Sequence, residues 1–255
     1  MKQEEWKLRC EKAAVWLFPR RCPLCNAVLG ADAVRGAVCA ACAPEETRLA
    51  HEPPRLPQTE HSFYALQTAL AAYYYEGAVR RAILVCKRGG RPWYARELAD
   101  CMAERIWGAQ PPDRPGGRPQ DLLLQHLAVY HCIVPVPPHR AFPGAPGLPL
   151  LLARRLGILF GIPVLTPLCV KRGTKPQKTL TRTERLANAK KAYYCRPGTD
   201  LSGKRVLLVD DIITTGATVS SCALALLQAG AVEVTAAAIA ADEELPKEKQ
   251  KPTEK

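Results

Sequence analysis

Several common features are missing from this 255-residue sequence. No stretch approaches the roughly 20 consecutive apolar residues that a membrane-spanning helix needs. The first ten residues, MKQEEWKLRC, are too charged for a secretory signal. The 11 cysteines are odd in number and mostly scattered, which argues against a disulfide framework. These absences predict a cytoplasmic protein with no membrane span, whose cysteines are metal ligands or buried thiols.

Acidic residues are also in short supply. The chain has 36 Lys and Arg against 24 Asp and Glu, which gives a net charge of +12 at pH 7. Such a surplus favours anionic partners such as nucleic acid, nucleotides or phosphosugars, although a solvated basic surface would look the same. The length suits one domain of ordinary size and a smaller module.

Two pairs of cysteines near the N-terminus have the spacing of a metal site. Cys22 and Cys25 are separated by two residues, and so are Cys39 and Cys42. This gap lets both thiolates of a pair turn toward one ion, and four thiolates complete a tetrahedral zinc shell. Because the protein would fill all four positions, we expect the Zn²⁺ to be structural and not catalytic.

The most informative stretch is residues 205–220, RVLLVDDIITTGATVS. Its apolar run, residues 206–209, predicts a buried parallel strand that Asp210 and Asp211 end. The loop at residues 214–218 then opens a helix. Free backbone N–H groups at a helix N-terminus favour a phosphate, whereas adjacent acids favour hydroxyl groups and Mg²⁺. A ribose 5-phosphate would satisfy both halves.

Three basic segments are candidate anion contacts. Lys87 begins the turn KRGGR, and His139 and Arg140 follow a predicted strand at its carboxyl end, where open parallel sheets bind ligands. The turn could equally be solvated surface, and His139 and Arg140 could instead belong to a charged loop. Residues 171–191 allow three interpretations: a mobile loop that closes over substrate, a nucleic-acid-binding patch, or a solvated run. The polar residues singled out in that segment are Lys171, Arg172, Gln177, Arg185 and Asn188.

The stretch VLLVDDIITTGAT resembles the signature of type I phosphoribosyltransferases. Together with the four cysteines, the Tyr-rich segment ending in Lys87, the VPVP run and the basic segment, it resembles the competence protein F family over about residues 17–240. The resemblance implies an α/β fold: a type I phosphoribosyltransferase-like parallel sheet with flanking helices, preceded by a small four-cysteine zinc ribbon. Members of that family are associated with the uptake of transforming DNA.

The resemblance also implies roles for particular residues. Asp210 and Asp211 would orient the ribose hydroxyls and Mg²⁺ of phosphoribosyl pyrophosphate. The 5-phosphate loop would consist of Thr214, Thr215, Gly216, Ala217 and Thr218. The leaving pyrophosphate would be neutralised by Lys171, Arg172 and Arg185, with Lys87, His139 and Arg140 as further candidates on that side, and Gln177 and Asn188 match the family's polar segment.

One segment departs from the family. Residues 142–149, FPGAPGLP, stand where the family usually has an Arg-Gly-Phe-Asn-Gln element, which weakens the pyrophosphate side of the site. Two functions therefore stay open. The protein binds phosphoribosyl pyrophosphate, and if it is an enzyme it is a phosphoribosyltransferase; or it is a non-catalytic factor that binds single-stranded DNA or a DNA-processing or competence protein.

Composition divides the chain into five parts. We predict an N-terminal helix at residues 1–20, the zinc ribbon at 21–45, a proline-rich linker at 46–62, the phosphoribosyltransferase-like domain at 63–242 and an unfolded charged tail at 243–255. His51 and His61 in the linker are expected to be exposed to solvent. A strand pair is predicted at residues 63–75, and a helix at residues 148–159 is expected to point Arg154 and Arg155 outward.

Overall fold

The fold is built on a parallel sheet. The computed structural model describes residues 19–30, 33, 36–57, 61, 63–87, 93–109, 129–138, 146–171, 192–246 and 249. The strands are β1 (Thr68–Tyr74), β2 (Cys132–Pro135), β3 (Leu168–Val170), β4 (Tyr193–Cys195), β5 (Arg205–Ile213) and β6 (Glu233–Ala241). Four of them form one sheet in the order β1-β6-β5-β2 with every pairing parallel, and β3 and β4 form a separate antiparallel ribbon.

Helices cover both faces of this sheet. They are α1 (Ala43–Leu49), α2 (Gly77–Lys87), α3 (Trp93–Trp107), α4 (Leu148–Phe160) and α5 (Ala217–Gln228). Leu207 and Val209 of β5 pack into the core that contains α3 and α4, whereas Val206 and Leu208 pack into the core under α5 and the β3–β4 ribbon. Because successive strand residues face opposite sides, a strand covered on both faces needs the unbroken apolar run seen in the sequence. The predicted α/β fold with flanking helices and a preceding four-cysteine cluster is confirmed.

The four-cysteine ribbon packs directly on α3. Cys22 and Cys42 belong to the same hydrophobic core as Met102. The Gly36 N–H donates to the Glu97 carboxylate at 3.0 Å, and the Gly36 carbonyl accepts from the Cys101 thiol at 3.2 Å. The ribbon and the sheet domain therefore share one core.

The segment after the ribbon differs from the predicted linker. Glu46, at the middle of α1, is buried and accepts hydrogen bonds from the Tyr73 hydroxyl at 2.7 Å and from Arg105 Nε at 2.8 Å. Bridges from Ala50 to Tyr73 and from Arg55 to Leu70 then cover the outer edge of β1. Residues 46–57 are thus part of the domain, because their backbone pairs with an edge strand that would otherwise be open.

The C-terminal segment also differs from its prediction. The Glu243 side chain is only 6% exposed, Leu245 is buried, and the Lys249 ammonium donates to the Ala50 carbonyl at 2.8 Å. The expectation of an unfolded tail from residue 243 is therefore wrong for these residues. The cause is tertiary, since they pack against the covered edge of the sheet and not against their sequence neighbours.

Three local expectations need correction. Arg155 points inward, where its guanidinium forms a two-bond pair with Asp100 at 2.5 and 2.9 Å, whereas Arg154 is exposed as expected. Among the described residues of 63–75 there is one strand, β1, and not a strand pair. β5 continues through the two acids to Ile213, because β6 pairs with it over that length.

Other predictions fall on residues outside the described ones. The helix predicted at residues 1–20 is one of them, up to residue 18. Within the described ranges, none of the helices has the length and apolar character needed to cross a bilayer.

Candidate functional site

The two consecutive acids lie in the second half of β5, inside the sheet. Asp210 and Asp211 are each only 8% exposed. Since neighbouring residues of a strand point to opposite faces, the two carboxyl groups leave the strand on different sides. They remain linked, because the Asp211 N–H donates to the Asp210 carboxylate at 2.8 Å.

A lysine compensates one of the two acids. Lys87, the last residue of α2, places its Nζ 2.9 Å from Asp211 Oδ1. The sequence proposed Lys87 as a contact on the pyrophosphate side, and the structure brings it to the acid pair itself. An ammonium beside Asp211 occupies the kind of position that a bound cation would take.

The acid pair is electrostatically strained. Burial raises the pKa of Asp210 to about 7, helped by the charge of Asp211 and opposed by the Asp211 N–H and by Lys87. Burial also raises the pKa of Asp211, against the effect of Lys87. Of the described ion pairs, only that of Lys87 with Asp211 compensates the two buried carboxyl groups, and a cation or hydroxyl donors would offset the remaining charge. The donor set therefore fits Mg²⁺ and the hydroxyls of a sugar.

The loop after β5 has a backbone shape that only glycine accepts easily. Gly216 has φ +76°, in the left-handed region, and a Cβ there would lie 2.5 Å from the Phe63 ring. Thr214 and Thr215 are exposed. α5 begins at Ala217, and the Ser220 N–H closes its first turn on the Gly216 carbonyl at 3.0 Å.

Helix geometry then makes this loop a place for an anion. The N–H groups of the first residues of α5 come before the first intrahelical hydrogen bond and have no partner within the helix. Those N–H groups and the helix dipole attract negative charge. The residues of the predicted 5-phosphate loop thus lie together at one helix N-terminus, directly after the acid pair.

Only some of the basic and polar residues predicted on the pyrophosphate side are among the described residues. Lys171 follows β3 and is exposed, with its backbone N–H donating to the Ala192 carbonyl at 2.9 Å. His139, Arg140, Arg172, Gln177, Arg185 and Asn188 lie outside the described residues, as do residues 142–145 of the segment that departs from the family. The remainder of that segment leads into α4, whose N-cap is Gly147.

The structure adds residues that sequence reasoning missed. Tyr193 of β4 lies on the Asp210 side, where burial, Cys222 and Asp210 together raise its pKa, and it hydrogen-bonds Thr218. Beneath the loop, the Thr214 carbonyl accepts a hydrogen bond from His61, which was expected to be exposed. His61 in turn contacts Glu243, and no local signal in the sequence joins residues so far apart.

The four cysteines converge as predicted. Their sulfurs all lie within 4.8 Å of one another, and Cys25 Sγ is 3.6 Å from Cys39 Sγ. With zinc–sulfur bonds of about 2.3 Å, a tetrahedral shell places its sulfurs about 3.8 Å apart. Burial raises the pKa of Cys22 and of Cys42, so thiolates there need a compensating cation. The cluster can therefore bind a metal such as zinc.

The fold and this site define a parallel α/β protein that carries two acids and the N-terminus of a helix at the end of a central strand. A family model described as the phosphoribosyl transferase domain matches residues 151–254. That range starts in α4 and includes the acid pair, the loop and α5. The C-terminal half of the chain is accordingly a phosphoribosyltransferase-like domain.

Solved structures give partial matches. Glutamine phosphoribosylpyrophosphate amidotransferase from B. subtilis, complexed with ADP and GMP, is 26% identical over 44% of this chain and 23% of its own, with a TM-score of 0.31. A structure described as the allosteric regulatory enzyme of purine biosynthesis is 21% identical over 58% of this chain and 25% of its own, with a TM-score of 0.33.

A purine phosphoribosyltransferase from Pyrococcus horikoshii Ot3 is 20% identical over 58% of this chain and 75% of its own, with a TM-score of 0.34. The matched region spans about a quarter of the first two of these proteins. No curated protein matches the chain.

The first prediction concerns the cysteine cluster. Cys39→Ser should reduce bound zinc from about one ion per chain to well below half, and it should lower the unfolding temperature because Cys22 and Cys42 are part of the core around α3. Cys169→Ser, at a cysteine outside the cluster, is the matched control. Plasma mass spectrometry and thermal unfolding provide the two readings. A metal-free protein that unfolds at the wild-type temperature contradicts the prediction.

The second prediction concerns Asp210. Its pKa in the folded protein lies above the ordinary value of 3.8, so ionisation destabilises the folded state as pH rises from about 4 through about 7. Asp210→Asn keeps an oxygen that accepts from the Asp211 N–H and removes the charge. It should therefore stabilise the ligand-free protein by roughly 2–4 kcal/mol at pH 8 and by little at pH 4.

Urea unfolding at the two pH values measures this difference. Asp211→Asn is the matched comparison, and it should gain less because it also breaks the ion pair with Lys87. An Asp210→Asn protein that is equally stabilised at both pH values, or destabilised at pH 8, contradicts the assignment.

Proposed function

We propose that the protein binds phosphoribosyl pyrophosphate with Mg²⁺ at the carboxyl end of β5. One observation carries the proposal: a buried acid pair on β5 is followed directly by a turn and a helix N-terminus. Both features lie within the range matched by the phosphoribosyl transferase domain. An acid pair alone would repel a phosphate, and an anion loop alone would accept any anion. A sugar carrying a phosphate at one end and vicinal hydroxyls at the other suits both.

Each part of the ligand has a group to meet. The 5-phosphate lies against the N–H groups of residues 215–218 and the hydroxyls of the loop threonines. The ribose hydroxyls donate to Asp210 and Asp211. Lys87, 2.9 Å from Asp211, lies close enough to the acids to reach the pyrophosphate once a cation takes over its role there. Asp210 and Asp211 would hold Mg²⁺, which would supply charge neutralisation for the pyrophosphate when bound.

If the protein turns over, the reaction is a phosphoribosyl transfer. The bond from C1 to the pyrophosphate oxygen breaks, and the electron pair leaves with pyrophosphate. The positive charge that develops on the ribose ring is taken up when a lone pair of the acceptor forms the new bond to C1, and the acceptor then loses a proton. No covalent nucleophile of the protein is needed, so positioning and electrostatics supply the catalysis.

The test is calorimetry with phosphoribosyl pyrophosphate, with and without MgCl₂. The double variant Asp210→Asn with Asp211→Asn should lose Mg²⁺-dependent binding by about 100-fold or more, because it removes both acceptors for the ribose and the cation. Asp200→Asn, at an exposed acid before β5, is the matched control and should bind as the wild type does. Equal affinity of the double variant and the control overturns the proposal.

A second candidate function rests on charge. The surplus of +12 and the resemblance to the competence protein F family support binding of single-stranded DNA, or of a DNA-processing partner, in natural competence. The two functions are compatible, since a sugar phosphate could regulate a separate binding surface.

This candidate predicts that a fluorescent single-stranded oligonucleotide binds at 50 mM salt and that the affinity falls steeply toward 200 mM. A logarithmic plot of affinity against salt should have a slope of about −0.7 for each phosphate contacted. Addition of phosphoribosyl pyrophosphate shows whether the sugar phosphate competes. An oligonucleotide that does not bind at low salt removes this function.

A further inference from the structure

A buried histidine supports the phosphate loop from beneath. His61 Nδ1 lies 2.7 Å from the Thr214 carbonyl, and the His61 side chain is only 1% exposed. A carbonyl oxygen can only accept, so this ring nitrogen carries a proton. The ring stacks on Phe63 at 4.9 Å, and Phe63 in turn fills the space beside Gly216 where a Cβ would be. The histidine and the phenylalanine thus contact the loop at Thr214 and at Gly216.

A glutamate holds the other side of the histidine. Glu243 lies two residues after the end of β6. Its Oε1 is hydrogen-bonded to His61 Nε2, and its Oε2 to His51 Nε2 at 2.8 Å. His51 Nδ1 lies 2.7 Å from the Pro53 carbonyl. We call this arrangement of His51, Glu243 and His61 the His–Glu–His cluster. It joins the segment after α1, the C-terminal segment and the loop.

The proton positions in the cluster follow from its contacts. Both Nδ1 atoms face carbonyls and must donate, and both Nε2 atoms face a single carboxylate. Burial works against ionisation of Glu243, but the hydrogen bonds from His51 and His61 outweigh it and lower its pKa. Glu243 thus holds both rings through their Nε2 atoms, while each Nδ1 faces its carbonyl.

The hydrogen bond to Thr214 sets the direction of the next N–H group. In a trans peptide the carbonyl and the following N–H point in opposite directions. Because His61 draws the Thr214 carbonyl downward, the Thr215 N–H is directed away from the cluster. The C-terminal segment fixes the same strand end again, since the Asp242 N–H donates to the Ile213 carbonyl at 2.8 Å.

We propose that His61, oriented by Glu243, is a positioning residue that holds the loop at residues 214–218 in its phosphate-binding shape. The ligand group it serves is the 5-phosphate monoester, and in this respect the inference rests on the proposed function. The role of His51 is indirect, because its hydrogen bond is to Glu243 and its ring stacks on Tyr74 at 4.6 Å, away from the loop.

The test compares the two histidines. His61→Ala should weaken binding of phosphoribosyl pyrophosphate with MgCl₂ by about 10- to 100-fold in calorimetry, as expected when a buried charge-assisted hydrogen bond is lost. His51→Ala removes a buried ring from the same cluster without touching Thr214, so its affinity should stay within about threefold of the wild type. His61→Asn places an amide N–H near the position of Nδ1 and should recover most of the affinity.

A second measurement reads the loop without a ligand. Amide hydrogen exchange of residues 215–219 should be faster in His61→Ala than in His51→Ala or the wild type, and it should return toward the wild-type rate in His61→Asn. If the wild type does not bind phosphoribosyl pyrophosphate but this exchange pattern appears, the proposed function fails and the positioning role stands.

Two results overturn the inference. One is a His61→Ala protein that binds the sugar phosphate as tightly as the wild type and shows unchanged exchange in the loop. The other is equal loss in His61→Ala, His51→Ala and His61→Asn, which would indicate general destabilisation and not positioning.

Discussion

Two adjacent carboxyl groups buried in a sheet are the constraint around which the rest of the site is arranged. In the absence of a ligand, only one ammonium, that of Lys87, faces either of them among the described ion pairs. The two acids lie close to the N-terminus of α5, because β5 ends at Ile213 and α5 begins at Ala217. The fold leaves part of the negative charge of these two carboxyl groups uncompensated, and a cation and a polyhydroxyl ligand can compensate it.

The same constraint explains why so many contacts hold the backbone at the end of β5. A repulsive pair lowers stability, so its neighbours must hold the backbone firmly for the carboxyl groups to keep their positions. β6 pairs with β5 as far as Ile213, and the His–Glu–His cluster holds the next residue, Thr214. A rigidly held strand end that keeps two repelling carboxyl groups in place is typical of a preorganised binding site.

Local patterns in the sequence predicted the parts that depend on local physics. The apolar run before Asp210 predicted a strand covered on both faces, and the paired cysteines predicted a convergent cluster; both predictions are confirmed. The burial of Glu243 could not be predicted, since its partners His61 and His51 are 182 and 192 residues away. Arg155 was placed outward for the same reason: its partner Asp100 lies 55 residues earlier, on another helix.

A path of contacts leads from the cysteine cluster to the acid pair. Cys42 is the N-cap of α1, and Glu45 in the first turn of α1 accepts from the Ala78 N–H at 3.0 Å, at the start of α2. Gly77 permits this close approach, because a Cβ there would lie 2.1 Å from the Glu45 carboxylate. The other end of α2 is Lys87, which pairs with Asp211. Through these contacts Cys42 is linked to the start of the helix whose last residue pairs with Asp211, so a metal held by the four cysteines would help to position α2.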